Sequence, residues 1–167
     1  MSCPASTIST RRIANLLKLL IPIDRSDASK LAIRHVIRRS WGGEAVEPHL
    51  LHVLASREED GIEVLEAAGE LLERGGLHFV AHIRYGSPAV EIVQFAESNR
   101  FGGIVMASSG LGSISEMLLG SVTARVLRTS RIPVEIVPVS PRSRLRAYTG
   151  PAGVGASLGA LLYSALD

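Results

Sequence analysis

Tyr85 to Ser108 reads YGSPAVEIVQFAESNRFGGIVMAS, and the order of signals within it decides the fold class. Gly86-Ser87-Pro88 is a turn, with Pro88 where a helix tolerates it, in the first turn. Ala89 to Ser98 follows as a helix. Gly103 to Ser108 (GIVMAS) is a short buried strand. A helix leading into a buried strand is part of the crossover unit from which parallel sheets are built.

The same alternation extends in both directions. Upstream, Leu16 to Ile23 (LLKLLIPI) reads as a buried strand, broken by Asp24-Arg25-Ser26-Asp27. Ser26 or Asp27 is a fitting N-cap for a helix over Ala28 to Arg39, with Leu31, Ala32, His35 and Val36 at helical spacing. Trp41-Gly42-Gly43 stops it. His49 to Ala55 is a second strand. Glu58 to Arg74 is a second helix, ended by Gly75-Gly76. Leu77 to Arg84 alternates apolar and polar residues, as a third strand exposed on one side does. Downstream of Ser108 come a polar glycine loop (Ser109 to Ser115), a fourth helix from about Ser121 to Thr129, and a fifth strand, Pro133 to Val139. Pro133 and Pro138 favour an edge position for that strand.

The order β-α-β-α-β-α-β-α-β predicts a parallel sheet with helices on both faces. Such sheets bind ligands at the carboxyl ends of their strands, where the winding reverses. If the reversal lies between the first and fourth strands, Pro22-Ile23-Asp24 meets Met106 to Gly110.

Composition agrees. The chain has 167 residues, of which 46% are hydrophobic, 20% charged and only 4% aromatic. That is one domain with an aliphatic core. A net charge of +2 argues for no nucleic-acid partner. The single cysteine, Cys3, excludes a disulfide within the chain and fits a reducing compartment. Thr10-Arg11-Arg12 before Leu16-Leu17 faintly echoes an export signal, but Lys18 and Asp24 interrupt the apolar run and no cleavage site follows. Residues 1–15 read as a flexible tail and 16–140 as the α/β domain. Residues 141–167 form an extension with Arg142, Arg144 and Arg146 before GPAGVGASLGALLYSAL. That run is shorter than the ~20 residues of a membrane span. Disorder or docking is favoured there over contact with a membrane surface.

The chemistry concentrates at the exit of the fourth strand. Glycines let backbone N–H groups approach an anion closely. Gly120-Ser121 opens the fourth helix, whose free N–H groups and dipole suit a phosphate. The Ser121 hydroxyl adds a donor. Asp24, at a strand end, can accept from ribose hydroxyls, and Ile23, Val53 and Met106 can form an apolar slot for a base. Each has a plainer role as well: Asp24 as a strand terminator, Gly110 and Gly112 as turn residues, Ser121 as an N-cap.

The segment Met106-Ala107-Ser108-Ser109-Gly110, continuing to Gly120-Ser121-Val122, resembles the phosphate loop of universal stress proteins. In nucleotide-binding members that loop runs glycine, two residues, glycine, nine residues, then Gly-Ser or Gly-Thr. Gly110 and Gly120-Ser121 match, and Ala107 replaces the first glycine. IPIDRSDAS (Ile21 to Ser29), LLHVL (Leu50 to Leu54) and Tyr85 to Ser108 resemble further segments of the family. An acidic residue usually stands where this chain has Gly102 or Gly103. The resemblance covers about Leu16 to Val139.

It implies a three-layer α/β/α, Rossmann-like fold with a five-stranded parallel sheet in the order 3-2-1-4-5. It also implies a cytoplasmic stress-response or signalling protein that binds ATP or AMP. The nucleotide contacts would be Pro22, Ile23, Asp24, Val53, Met106, Ala107, Ser109, Gly110, Gly120, Ser121 and Val122. Mg²⁺ or Mn²⁺ would enter only with the nucleotide, and a homodimer would form through Pro133 to Val139. Catalysis would be weak ATP hydrolysis at most, since no general base is evident. The alternative is a nucleotide-free dimeric module acting through protein or membrane-surface contacts, and Ala107 is its best support.

Other chemistries fail on spacing. There is no Walker A sequence. A serine hydrolase built on Ser108 needs a downstream histidine, and none follows His82. His49 and His52 point to opposite faces of a strand, and His78 and His82 lie about 13 Å apart along one. Neither pair grips a metal ion.

Overall fold

Aliphatic runs separated by amphipathic helices leave the strands little choice but to be covered on both faces. The computed structural model describes residues 16–56, 60–108 and 119–138. The elements are β1 (Leu17–Ile23), α1 (Asp27–Trp41), β2 (Val46–Leu54), α2 (Ile62–Arg74), β3 (Val80–Tyr85), α3 (Pro88–Ser98), β4 (Gly103–Ala107), α4 (Ser121–Thr129) and β5 (Val134–Val137). All pairings are parallel, in the order β3-β2-β1-β4-β5. The α/β/α expectation and its strand order are both met.

Alternation along β1 divides the core in two. Leu19, Ile21 and Ile23 join Ile33, Val36, Leu65 and Leu72 beneath α1 and α2. Leu20 joins Leu51, Ile92, Ala96, Ile104 and Val126 beneath α3 and α4. Leu20, Ile21, Leu50, Leu51 and Ile104 are wholly buried, so the middle of the sheet carries much of the apolar burial among the described residues.

Four boundaries depart from expectation, each for a local reason. β2 starts at Val46, three residues early, and takes in Pro48. Pro48 has no N–H to give, but β3 begins pairing only at His49, so β2 is bonded on one side there. α2 starts at Ile62 and not Glu58; residues 57–59 lie outside the described residues, and Gly61 is the N-cap. The Asp60 carboxylate accepts from the Ile62 N–H at 2.9 Å, which fixes that start. β3 starts at Val80 and not Leu77, because Gly76 (φ +79°) turns the chain and Leu77 N–H returns to Leu72 O at 2.9 Å. β5 spans only Val134–Val137; the flanking Pro133 and Pro138 cannot donate to a ladder. It is an edge strand, tied to α1 where Glu135 accepts from Arg39 at 2.6 Å and lies 2.6 Å from His35 Nε2.

The carboxyl ends of β1 and β4 lie side by side at the point where the strand order reverses. This puts the β1–α1 turn and the start of α4 at the mouth of one crevice.

Candidate nucleotide-binding cleft

A cleft of about 300 Å³ opens at this point. It contains nine of the eleven residues expected there: Pro22, Ile23, Asp24, Val53, Met106, Ala107, Gly120, Ser121 and Val122. The other two, Ser109 and Gly110, lie outside the described residues. Ile23 borders the cleft, but its side chain is counted among the core beneath α1 and α2. Pro22, one residue back and on the other face of β1, is better placed for an apolar wall.

Seven further residues line the space: Ser26, Ala28, Ser29, Leu51, Pro88, Ile92 and Thr123. Sequence reasoning missed them. Leu51 was open to inference, because it shares a strand face with Val53. Pro88 and Ile92 enter from α3, and only the packing of α3 against β2 and α4 brings them there.

Asp24 is set by the turn around it. Its Oδ1 accepts from the Ser26 amide at 3.0 Å, from the Ser26 hydroxyl and from the Ser29 hydroxyl at 2.6 Å. Its own amide donates to Ser29 Oγ at 3.0 Å. Among the described residues no donor reaches Oδ2. Ser26 occupies the N-cap position of α1 with extended backbone, but its hydroxyl serves Asp24 and not the helix. Burial pushes the Asp24 carboxyl up, but the Ser26 and Ser29 hydrogen bonds and nearby His52 outweigh it, so the group sits below its ordinary 3.8. It is an anion at neutral pH with one oxygen open to a donor.

The opposite wall is the start of α4. Gly120 is the N-cap (φ −57°, ψ 154°), and the first intrahelical bond runs from Ala124 N–H to Gly120 O at 2.9 Å. The amides of Ser121, Val122 and Thr123 therefore have no intrahelical acceptor. Ser121 is the first helical residue and not the cap, so its hydroxyl is not used as an N-cap. No acidic side chain stands in this first turn, whereas α1, α2 and α3 carry Asp27, Glu63 and Glu91 in theirs. Helix polarity thus favours an anion here without a competing carboxylate.

Ala107 is resolved by its backbone. Among the described residues only Arg100 is a non-glycine with positive φ. Ala107 closes β4 opposite Val137 in extended conformation, where alanine carries no strain. Met106, Leu51, Val53 and Ile92 give the cleft an apolar side between its two polar ends. The arrangement offers a carboxylate acceptor, a flat apolar wall and a row of amide donors, in the proportions of a small-ligand site. Among the described residues no three His, Cys, Asp or Glu side chains could hold a metal ion, and no helix is long and apolar enough to cross a membrane.

Comparison with known proteins places this architecture. Universal stress protein MJ0531 of Methanocaldococcus jannaschii is 31% identical over 137 residues, spanning 72% of this chain and 81% of its own. The solved structure of MJ0577 from the same organism superposes with a TM-score of 0.63 at 32% identity, over 75% of this chain and 97% of that one. A universal stress protein solved in complex with cAMP shares the fold, with a TM-score of 0.61 at 23% identity, over 72% of this chain and 94% of that one. The family model for universal stress proteins matches residues 16–138, from the start of β1 to the end of β5, and with these relatives it shows that the chain belongs to the universal stress protein family.

Proposed function

We propose that the cleft binds an adenine nucleotide, ATP or AMP, and that the protein acts in stress response or signalling rather than as a dedicated enzyme. One observation carries this reading: the Asp24 carboxylate and the unbonded amides of Ser121 to Thr123 line the same 300 Å³ cleft, with apolar side chains between them. A nucleotide has matching parts in the same order. Ribose hydroxyls donate to Asp24 Oδ2, the base lies on Val53, Leu51 and Met106, and the phosphates face the α4 amides and the Ser121 hydroxyl. The cAMP complex of a family neighbour supports an adenine ligand. Mg²⁺ or Mn²⁺ would be held by the phosphates, not by a resident ligand set. Ala107 favours the alternative of a nucleotide-free interaction module, but its backbone is extended and carries no strain from alanine.

The reading extends to assembly and place. β5 lies at the sheet edge, flanked by prolines, and a second copy pairing along Pro133 to Val139 would cover that edge. The single cysteine suits the cytoplasm. Equilibrium dialysis of labelled ATP against purified protein tests the central claim. Saturable binding that falls in Gly120→Leu supports it, and no binding at millimolar nucleotide supports the nucleotide-free module.

A further inference from the structure

On the α3 face of the sheet, apart from the cleft, the side chains of Glu47, His49 and His82 are linked in a row. His49 Nε2 lies 3.0 Å from Glu47 Oε1, and His49 Nδ1 lies 2.9 Å from His82 Nε2. The two rings are parallel to within 3°, with centroids 5.2 Å apart. Phe101 meets His49 edge-on at 4.9 Å, and Phe95 of α3 lies 4.7 Å from His82. His49 is only 5% exposed, and none of the three residues lines the cleft.

The geometry fixes the proton count. A carboxylate only accepts, so His49 Nε2 carries a hydrogen and donates it to Glu47. In the neutral ring Nδ1 is then an acceptor, and His82 Nε2–H donates to it. One extra proton is tolerated on either ring, because a single N–H still lies between the facing nitrogens. A second extra proton sets two N–H donors head to head at 2.9 Å with no acceptor. The bond is lost, and two cations face each other across a partly buried contact, with His49 on the buried side.

The surrounding charges oppose that second proton. Lys18 of β1 lies over Phe101 at 4.7 Å, and Arg84 of β3 lies 5.8 Å from Phe95 while donating to Glu91 of α3 at 3.1 Å. Glu47 is the one carboxylate bonded to the pair among the described residues. Burial, His49 and Lys18 hold His82 below its ordinary 6.5.

The contact joins β2 to a strand at the edge of the sheet. β3 is an edge strand with no fully buried residue. In register His49 sits opposite Val80 and Leu51 opposite His82, so the imidazole bond crosses diagonally between β2 and β3. We propose that Glu47–His49–His82 is an acid-sensitive clamp on β3, closed with no extra proton or one and released when both imidazoles are charged. Because the folded His82 binds its proton less readily than an unfolded one, the clamp's stabilisation is complete above about 6.5. It drains away as the pH falls through the lower folded value. Acidification is thereby registered as loosening of β3 and of α3 packed beside it.

Amide hydrogen exchange tests this on the full chain. Protection of Val80–Tyr85 is compared with that of Leu19–Ile23 at about pH 7.5 and about pH 5, corrected for intrinsic exchange. The clamp requires β3 protection to fall by about tenfold or more relative to β1 at the lower pH. It requires His82→Gln, which cannot take a proton, to show no such extra fall. An equal acid loss in both proteins, or none in the wild type, overturns the proposal. Imidazole ¹⁵N spectra of the wild-type protein give a reading that does not depend on the variant folding. Coupled titration of His49 and His82, with scalar coupling across the N–H···N bond at neutral pH, supports the clamp; two independent titrations overturn it.

Discussion

Ser29 and Asp24 clasp each other twice: the Ser29 hydroxyl donates to Asp24 Oδ1 at 2.6 Å and accepts from the Asp24 amide at 3.0 Å. The pair joins the end of β1 to the first turn of α1 and holds the carboxylate at the mouth of the cleft. Ser29→Ala removes both contacts at little cost in shape. Its expected effect is a stability loss of about 1 kcal/mol, measured by urea unfolding. Asp24 should also move up toward 3.8 in a carboxyl NMR titration. The pH dependence has a definite sign. A depressed carboxylate contributes stability above its unfolded value, and this is lost as the pH falls through the lower folded value. The variant should therefore lose less stability than the wild type between about pH 5 and pH 2.

Gly69 lies in α2 where an added methyl group would overlap the Phe79 ring. Alanine normally gains about 1 kcal/mol over glycine within a helix. Here overpacking of about 1–3 kcal/mol opposes that gain, and Gly69→Ala should be neutral to destabilising in chemical denaturation. A clear stabilisation would show that Phe79 is free to move aside.

Arg100 has φ 54° just beyond the C-cap of α3, where Phe101 N–H reaches back to Ala96 O at 3.0 Å. That left-handed position suits glycine. Arg100→Gly should raise stability by about 0.5–1 kcal/mol, read as a higher denaturation midpoint, without altering the cleft.

Ala107→Gly separates the two readings of the loop. Because Ala107 is extended, glycine relieves nothing. The expected result is a stability loss of about 0.5–1 kcal/mol with nucleotide affinity unchanged in a binding titration. A gain of affinity would mean that the alanine obstructs the site.

Much of the fold was legible because its causes are local. The runs LLKLLIPI and GIVMAS are buried on both faces, and the amphipathic stretches between them alternate with them as crossovers require. Pro133 and Pro138 mark β5 as an edge strand, the place it takes in the sheet. Asp24 and Gly120-Ser121 stand out in the sequence as a carboxylate at a strand end and a glycine before a helix, and the cleft brings them together. The rest depends on how distant elements meet. Ile92 joins the cleft only once α3 has packed on β2. Spacing along single strands pairs His49 with His52 and His78 with His82, whereas the bonded pair, His49 and His82, is set by the register between two strands. No periodicity encodes that register. Pro48 belongs to β2 for a similar reason, since it is tolerated only because β3 starts pairing one residue later.

The most direct measurement is an amide chemical-shift titration of the isotopically labelled protein with ATP. The account predicts saturable shifts at Ser121, Val122 and Thr123 together with Ile23 and Asp24, weakened about tenfold in affinity by Gly120→Leu. No shifts at millimolar nucleotide, or shifts confined to residues outside the cleft, would contradict it.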